Sequence, residues 1–196
     1  KAFKTQGGRT VYEGGGIAKN SGAQVRLVQG SFGQITAAQI LPVINPDDVH
    51  RARTRLVSLE NTCNRGGGSC YNLAEIAKIR SLCDAHGLGL HLDGARLMNT
   101  IVANQENPKD YGKMFHSISL CLSKGLGAPV GSVLLGDAAF IKQARRVRKV
   151  MGGGMRQAGY LAAAGLFAME HNINRLAEDH AHAKLLASAL VSCNWI

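Results

Sequence analysis

Lys124 is the most promising reactive amine in this sequence. It follows the apolar segment 117–122, and a run of small residues covers 125–132. An ammonium group in an apolar, tightly turned site loses hydration, so its neutral amine becomes accessible. A neutral lysine amine can condense with a carbonyl group to form a Schiff base. The sequence therefore predicts Lys124 as a nucleophile, and a plain salt bridge to an acidic residue is the alternative.

Asp93 is the carboxylate best placed to work with Lys124. It follows the apolar segment 88–92, and Glu60 follows a third apolar segment, 55–59. Open α/β sheets bind ligands at the carboxyl ends of their strands, so these segments predict one shared site. A carboxylate such as Asp93 can keep the pyridine nitrogen of pyridoxal phosphate (PLP) protonated. On a strand, His91 shares the face of Asp93 and can orient it, or it can be an ordinary hydrogen-bonded core histidine.

The elements that must position these residues follow from hydrophobic periodicity and from glycine and proline breaks. Gly87 is expected to end a helix in the C-cap position. Short strands that alternate with helices predict an α/β fold with a largely parallel sheet. The predicted strands are 24–28, 55–59, 88–92, 117–122 and 131–135, and the predicted helices are 36–43, 73–86, 94–103, 137–150, 155–170 and 172–191.

Composition excludes several classes of protein. Hydrophobic residues make up 45% and charged residues 18% of the 196 residues, which is typical of a soluble globular chain. The chain has five cysteines and no paired CxxC spacing, which argues against a disulfide framework and against a metal site of the zinc type. This cysteine usage favours a reduced, cytoplasmic location. No apolar stretch reaches the roughly 20 residues of a membrane span, so no membrane partner is expected.

The net charge of +10 favours anionic ligands. Part of the excess of basic over acidic residues lies in one predicted helix. These residues form either a solvated helix face or an anion-binding site. They are Lys142, Arg145, Arg146, Arg148 and Lys149. Nucleic acid is not an expected partner, because aromatic residues are only 5% and no nucleic-acid-binding module is recognisable.

Four segments together resemble the low-specificity L-threonine aldolases. They are 59–62, 91–96, 121–132 and 152–157, and they match in order, spacing and identity. The resemblance implies a PLP-dependent enzyme of fold type I, whose large domain is a three-layer αβα structure, here truncated at both ends. It implies a partial PLP-binding large domain over 1–170 and, over 171–196, a helix leading towards a C-terminal small domain. It also implies a homodimer or homotetramer.

The resemblance assigns roles to five residues around the cofactor. Lys124 would form the Schiff base, and Asp93 would pair with the pyridine nitrogen. Arg96 would hold polar groups of the cofactor or the substrate. Lys149 and Arg156 match residues that reach a neighbouring subunit's site near the PLP phosphate.

The implied reaction is retro-aldol cleavage of L-threonine or L-allo-threonine to glycine and an aldehyde, a route of glycine biosynthesis. His50 matches a histidine that some members place near the substrate hydroxyl, where it would act as a general base. A surface histidine in a loop is an equal alternative for His50, and a water molecule or the cofactor phosphate can take the same proton.

The match has departures. No histidine precedes His50, and Gly7 and Gly8 occupy the region where the family carries a ring-stacking histidine; Cys63 replaces the usual histidine after Thr62. Family members are also longer at both ends. We therefore expect a fragment or diverged copy that binds PLP weakly or not at all by itself. A related PLP β-eliminating lyase, an aminotransferase and a non-catalytic homologue are the competing interpretations.

Overall fold

The computed structural model describes residues 3–4, 10–11, 15–191 and 193, so Gly7 and Gly8 lie outside the described residues. The strands are β1 (Phe3–Lys4), β2 (Thr10–Val11), β3 (Leu56–Glu60), β4 (Gly89–Gly94), β5 (Ser117–Cys121) and β6 (Ser132–Gly136). The helices are α1 (Gly16–Ser21), α2 (Ala37–Ile40), α3 (Leu73–Ala85), α4 (Leu97–Asn104), α5 (Pro108–Met114), α6 (Ala138–Val150), α7 (Gly159–His171) and α8 (Leu176–Leu190). A short 3₁₀ turn, Leu41–Val43, follows α2.

The main sheet has the strand order β3-β4-β5-β6. Strands β3, β4 and β5 are parallel, and β6 pairs antiparallel with β5. Right-handed crossovers between consecutive parallel strands place their helices on one face. Residues of α3, α4 and α5 accordingly share one hydrophobic cluster with the strands. The predicted α/β class and the largely parallel sheet are confirmed.

The two faces of the sheet differ in polarity. Alternate strand residues point to the helical layer and are buried, among them Leu59, Leu92 and Leu120. The opposite face carries Ser58, Glu60, His91, Asp93, Ser117 and Ser119, none of which belongs to the buried class. Strand pairing aligns these residues in two rows across the sheet. This polar face is the one that a second helical layer would cover in a three-layer arrangement.

Local sequence signals set several helix ends. The Asn72 side chain accepts a hydrogen bond from the Ala74 amide at 2.8 Å and caps the start of α3. Gly87 has a φ of +62°, the left-handed conformation expected of a glycine just beyond a helix. Asn107 and Pro108 begin α5, a helix that the periodicity analysis missed.

The predicted strand 24–28 is wrong. Residues 22–30 are irregular and mostly exposed, and Val25 and Leu27 are about half exposed. Among the described strands, none pairs with this segment. A short polar–apolar alternation forms a stable strand only when a neighbouring strand and a core face are present.

Helices α7 and α8 pack around the segment that follows β5. Leu176 has no exposed surface and joins a cluster with Leu122, Leu126, Ala128 and Ala168. Helix α8 therefore packs on the rest of the described chain, and the predicted domain boundary between 170 and 171 stays a prediction. None of the helices in the described ranges is long and apolar enough to cross a membrane.

Buried Tyr71 makes the stability of the fold sensitive to alkaline pH. Its hydroxyl accepts a 2.7 Å hydrogen bond from the Ile35 amide. Burial raises the pKa of Tyr71 from 10.0 to about 12, because the phenolate would lose hydration, although the Ile35 bond acts in the other direction. In the unfolded chain the hydroxyl ionises near its ordinary pKa. The contribution of Tyr71 to the unfolding free energy is therefore fully present below pH 10 and is lost as the pH rises towards 12.

We expect ionisation of Tyr71 to lower the unfolding free energy by about 1.4 kcal/mol when the pH is raised from about 9 to about 11. Urea denaturation of the wild-type chain and of Tyr71→Phe at both pH values measures the difference. For each chain, the unfolding free energy at the higher pH is subtracted from that at the lower pH. This difference cancels the constant cost of the missing hydroxyl. Equal losses in the two chains would show that Tyr71 ionises alike in the folded and unfolded states.

Candidate active site at the carboxyl edge of the sheet

Asp93 presents its carboxylate at the carboxyl end of β4. The Oδ1 atom accepts a hydrogen bond from the Ala95 amide at 3.1 Å, which fixes the turn into α4. The residue is exposed on the polar face of the sheet, between Glu60 and Ser119 in the strand register. The described residues offer the carboxylate no ion pair. Asp93 can therefore accept a hydrogen bond from a ligand without breaking an internal contact.

Arg96 lies three residues beyond Asp93, at the N-cap position of α4. It is half-buried, and its carbonyl accepts a hydrogen bond from the Asn99 amide at 3.0 Å. Within the described ranges its guanidinium group forms no ion pair. A guanidinium group beside a helix N-terminus suits an anionic ligand group.

Lys124 lies in a tight turn after β5. The turn is closed by backbone hydrogen bonds of 2.9 Å from Gly127 to Lys124 and from Ala128 to Leu122. Gly127 has a φ of +73°, which favours glycine at this point. The expected apolar surroundings are not found, because Lys124 is exposed at the uncovered polar edge of the sheet. No ion pair with Lys124 is formed in the described part of the chain.

Asp93 and Lys124 belong to the same edge of the sheet. Asp93 pairs in register with Ser119, and β5 ends at Cys121, shortly before Lys124. The Asn61 amide donates to the Asp93 carbonyl at 3.0 Å, which brings the end of β3 to the same edge. The carboxylate, the amine and the Arg96 guanidinium group thus come from the ends of neighbouring strands.

His91 is anchored across the polar face. Its Nδ1 atom shares a 2.8 Å hydrogen bond with the Ser117 hydroxyl. Partial burial lowers the pKa of His91, and the nearby Asp93 carboxylate and a hydrogen bond with the Ser117 backbone act in the opposite direction. The bond to Ser117 favours the interpretation of His91 as a satisfied structural histidine, beside Asp93 rather than bonded to it.

Asn61 is a buried hub that the sequence analysis did not single out. Its side-chain amide donates to the Tyr111 hydroxyl at 3.2 Å, and its Oδ1 accepts from the Thr100 hydroxyl at 3.2 Å and from the Tyr71 amide at 3.3 Å. These bonds fix the loop after Glu60 against α4 and α5. The only signal for this role in the sequence is that Asn61 is a polar residue close to the end of a predicted strand.

Cys63 faces the interior rather than the open edge. It is 1% exposed, and its thiol donates to the Glu60 carbonyl at 3.0 Å. Burial raises the pKa of the Cys63 thiol, and nearby Glu60 adds to the effect, while a hydrogen bond with Ser69 opposes it. Cys63 is therefore a buried thiol. Among the described residues, no group of three or more His, Cys, Asp or Glu side chains could hold a metal ion.

Lys149 and Arg156 flank the glycine run after α6. Both are exposed, and Lys149 lies in the last turn of the helix, where a cation is stabilised by the helix dipole. A Cβ atom added to Gly154 would lie 2.6 Å from Cδ of Lys149, so the lysine side chain folds back along the glycines. No hydrogen bond or ion pair among the described side chains brings either residue to Asp93 or Lys124.

His50 lies at the opposite edge of the sheet. It precedes β3, and its loop lines a cavity together with His86 and Leu88, which precede β4. Its amide donates to Asp48 Oδ1 at 2.9 Å, and the residue is exposed. With a rise of about 3.3 Å per strand residue, the two edges are roughly 13 Å apart. The structure does not bring His50 together with Asp93 and Lys124 in one protomer.

This placement predicts that His50→Ala changes kcat and KM by less than about twofold, since general-base assistance is worth about 10²–10⁴-fold. Steady-state kinetics of the polypeptide that carries this sequence, with the amino-acid substrate that the sequence resemblance implies, measures the effect. His86→Ala is the control, because His86 borders the same cavity. A hundredfold loss in His50→Ala alone would mean that His50 serves the site of another protomer.

Residues 3–196 match the protein family described as Beta-eliminating lyase. The chain belongs to this family. It is 43% identical over 186 residues to the "Probable low-specificity L-threonine aldolase 2" of Arabidopsis thaliana, covering 92% of this chain and 52% of that protein. It is also 40% identical over 169 residues to "Alanine racemase TOXG" of Cochliobolus carbonum, covering 85% of this chain and 43% of the relative.

Solved structures of the family support the fold. The crystal structure of a putative L-allo-threonine aldolase from Listeria monocytogenes superposes with a TM-score of 0.81 at 25% identity, covering 94% of this chain and 49% of that one. The chain spans about half the length of the curated relatives it matches. The resemblance in the four sequence segments therefore reflects membership of this lyase family.

Proposed function

We propose that the polypeptide carrying this chain is a PLP-dependent aldehyde-lyase that cleaves L-threonine or L-allo-threonine to glycine and an aldehyde. The observation that carries the proposal is the common edge of the parallel strands β4 and β5, where Asp93 lies at the end of β4 and Lys124 follows β5. Membership of the lyase family and the aldolase names of relatives support the same reaction.

The residues at this edge fit the chemical needs of PLP. The cofactor needs an amine for its aldehyde carbon, a carboxylate for its pyridine nitrogen and a cation for its phosphate. Lys124 offers the amine and Asp93 the carboxylate, and both are exposed residues at the carboxyl edge of the sheet. Arg96 offers a cation close to Asp93, for the cofactor or for the substrate carboxylate. Lys149 and Arg156 are the proposed cations for a neighbouring protomer's phosphate group.

PLP, when bound, withdraws the electrons that are released when the Cα–Cβ bond of the substrate breaks. The Asp93 carboxylate would hold a proton at the pyridine nitrogen. Lys124 would supply the amine that binds the cofactor and, once the substrate amino group takes its place, would carry a proton at its Nζ atom. Since His50 lies at the far edge, a water molecule at the open polar face is the proposed acceptor of the hydroxyl proton.

We also propose a homodimer or homotetramer in the cytoplasm. Exposed apolar side chains on β6, α6 and α7 support self-association, since monomers rarely expose large apolar patches. They include Leu134, Val147, Val150, Tyr160 and Phe167. Sedimentation analysis of the purified polypeptide gives the stoichiometry, and a monomer at micromolar concentration would contradict this part of the proposal.

A second candidate function is amino-acid racemisation. The relative named an alanine racemase is 40% identical, a value close to that of the relatives named aldolases. Both reactions need the same lysine and the same electron sink, and they differ in which bond at Cα breaks. β-Elimination to pyruvate and ammonia is the third possibility, from the name of the family.

Product analysis separates these functions. The polypeptide is incubated with PLP and L-threonine, L-allo-threonine, L-serine or L-alanine. Glycine and acetaldehyde from the first two substrates support the aldolase, whereas D-alanine from L-alanine supports the racemase. Pyruvate and ammonia from L-serine support elimination. Absence of glycine from a PLP-loaded sample overturns the proposal.

A further inference from the structure

Asn99 contacts both turns of the candidate site, the turn that contains Asp93 and Arg96 and the turn that contains Lys124. Its backbone amide donates to the Arg96 carbonyl at 3.0 Å, in the turn that follows Asp93. Its side chain lies against the Lys124 turn, because a Cβ atom added to Gly125 would be 3.2 Å from Asn99 Oδ1. Gly125 directly follows Lys124. The half-buried Asn99 side chain therefore separates the Asp93–Arg96 turn from the Lys124 turn by a fixed spacing.

His180 holds the Asn99 amide in this orientation. The Asn99 Nδ2 atom and the His180 Nε2 atom are 3.2 Å apart. An amide nitrogen donates, so Nε2 of His180 is the acceptor of this hydrogen bond. His180 is half-buried on α8, the helix that packs on α4. The pair joins residues 81 positions apart in the sequence.

The start of α8 and Asn172, which directly follows α7, close the turn from a second side. Asn172 Nδ2 donates to the Leu126 carbonyl at 2.8 Å. The side chain of Leu176, which has no exposed surface, would be 2.9 Å from a Cβ atom at Gly125. Only glycine leaves room for this approach. The backbone next to Lys124 is thus confined between α4 and α8.

We infer that Asn99 and His180 are positioning residues that hold the Lys124 turn at a fixed distance from Asp93 and Arg96, an inference that rests on the proposed function. Neither side chain reaches the reacting atoms. Asn99 acts through the backbone of Gly125 and His180 acts through Asn99, so the pair determines where the Lys124 turn stands. Loss of the Asn99–His180 bond should therefore loosen the turn without unfolding the chain.

The test compares His180→Phe, which keeps a ring but removes the acceptor, with His180→Gln, which restores an acceptor. His182→Phe is the matched control, since His182 is an exposed residue of the same helix. Asn99→Ala, with Asn104→Ala as its control on α4, tests the other partner. Without PLP, amide hydrogen exchange at Gly127 and Ala128 is measured. With PLP, borohydride trapping on Lys124 and steady-state kinetics are measured.

We expect amide exchange at Gly127 and Ala128 to rise about fivefold in His180→Phe and Asn99→Ala, the factor of one net hydrogen bond. Trapping on Lys124 and kcat should fall by a similar factor with KM nearly unchanged, and His180→Gln should recover both. Wild-type exchange and trapping in both variants would overturn the inference. If the wild-type polypeptide itself traps no PLP, the proposed function fails, and the exchange data alone decide the positioning role.

Discussion

Lys124→Ala is expected to abolish covalent attachment of PLP and to lower kcat by on the order of 10³-fold or more, as removal of a covalent catalyst does in other enzymes. The physical reason is that no other lysine among the described residues lies in the turn directly after β5, the strand that pairs with β4 beside Asp93. Lys124 makes no internal ion pair there, so its loss should leave the unfolding free energy nearly unchanged.

Lys124→Arg distinguishes covalent chemistry from simple attraction of an anion. The guanidinium group keeps the positive charge but stays protonated and does not condense with an aldehyde. PLP should therefore bind to Lys124→Arg without becoming fixed by borohydride. Lys184→Ala is the control, since Lys184 is an exposed lysine on α8. Mass spectrometry of peptides after borohydride reduction identifies the labelled lysine. Labelling of Lys124→Ala at the wild-type level would refute the assignment.

The strands that carry the candidate site were predictable because each has a strong local pattern. The predicted strands 55–59, 88–92 and 117–122 correspond closely to β3, β4 and β5. Their apolar runs are bounded by polar or glycine residues, and parallel pairing then fixes which ends share an edge. The placement of Asp93 and Lys124 at one edge follows from this topology. Gly87 likewise ends α3 as its residue type indicates.

Long-range contacts were not predictable in the same way. The segment 24–28 has strand-like alternation, but its fate depends on partners that its own residues do not specify. The link between Asn99 and His180 depends on how α8 packs on α4, and no spacing in the sequence reports that contact. His50 matched by local sequence, yet the parallel sheet places its loop at the amino edge. Local patterns specify elements, whereas packing specifies which side chains meet.

The open polar face explains why the expected environment of Lys124 is not seen. A lysine is desolvated only when other groups cover it, and Lys124 is exposed beside a sheet face that the described helices leave uncovered. Covering that face, by further chain or by a neighbouring protomer, would dehydrate Lys124 and Asp93 together. The dielectric environment of Lys124 and Asp93 therefore depends on what covers this face.

Asp93→Asn is expected to lower kcat by about 10²–10³-fold, the range for loss of one preorganised electrostatic contact. An amide has no charge with which to hold the ring nitrogen protonated. Asn can still accept the Ala95 amide hydrogen bond through Oδ1, so the turn and the stability should persist. Asp93→Ala removes this bond as well and should cost about 1 kcal/mol of unfolding free energy in addition.

Comparing the two substitutions separates the electrostatic role of Asp93 from its structural role. Asp137→Asn is the matched control, because Asp137 also accepts a backbone amide hydrogen bond, from Phe140 at 2.8 Å, but lies at the start of α6. Steady-state kinetics and urea denaturation are measured for all three variants. If Asp93→Asn kept wild-type kcat while Asp93→Ala lost stability, the carboxylate would be only a turn-forming group. The cofactor nitrogen would then need another partner, because on this face of the sheet only Glu60, beside Asp93 in the register, offers a second carboxylate among the described residues of the strands.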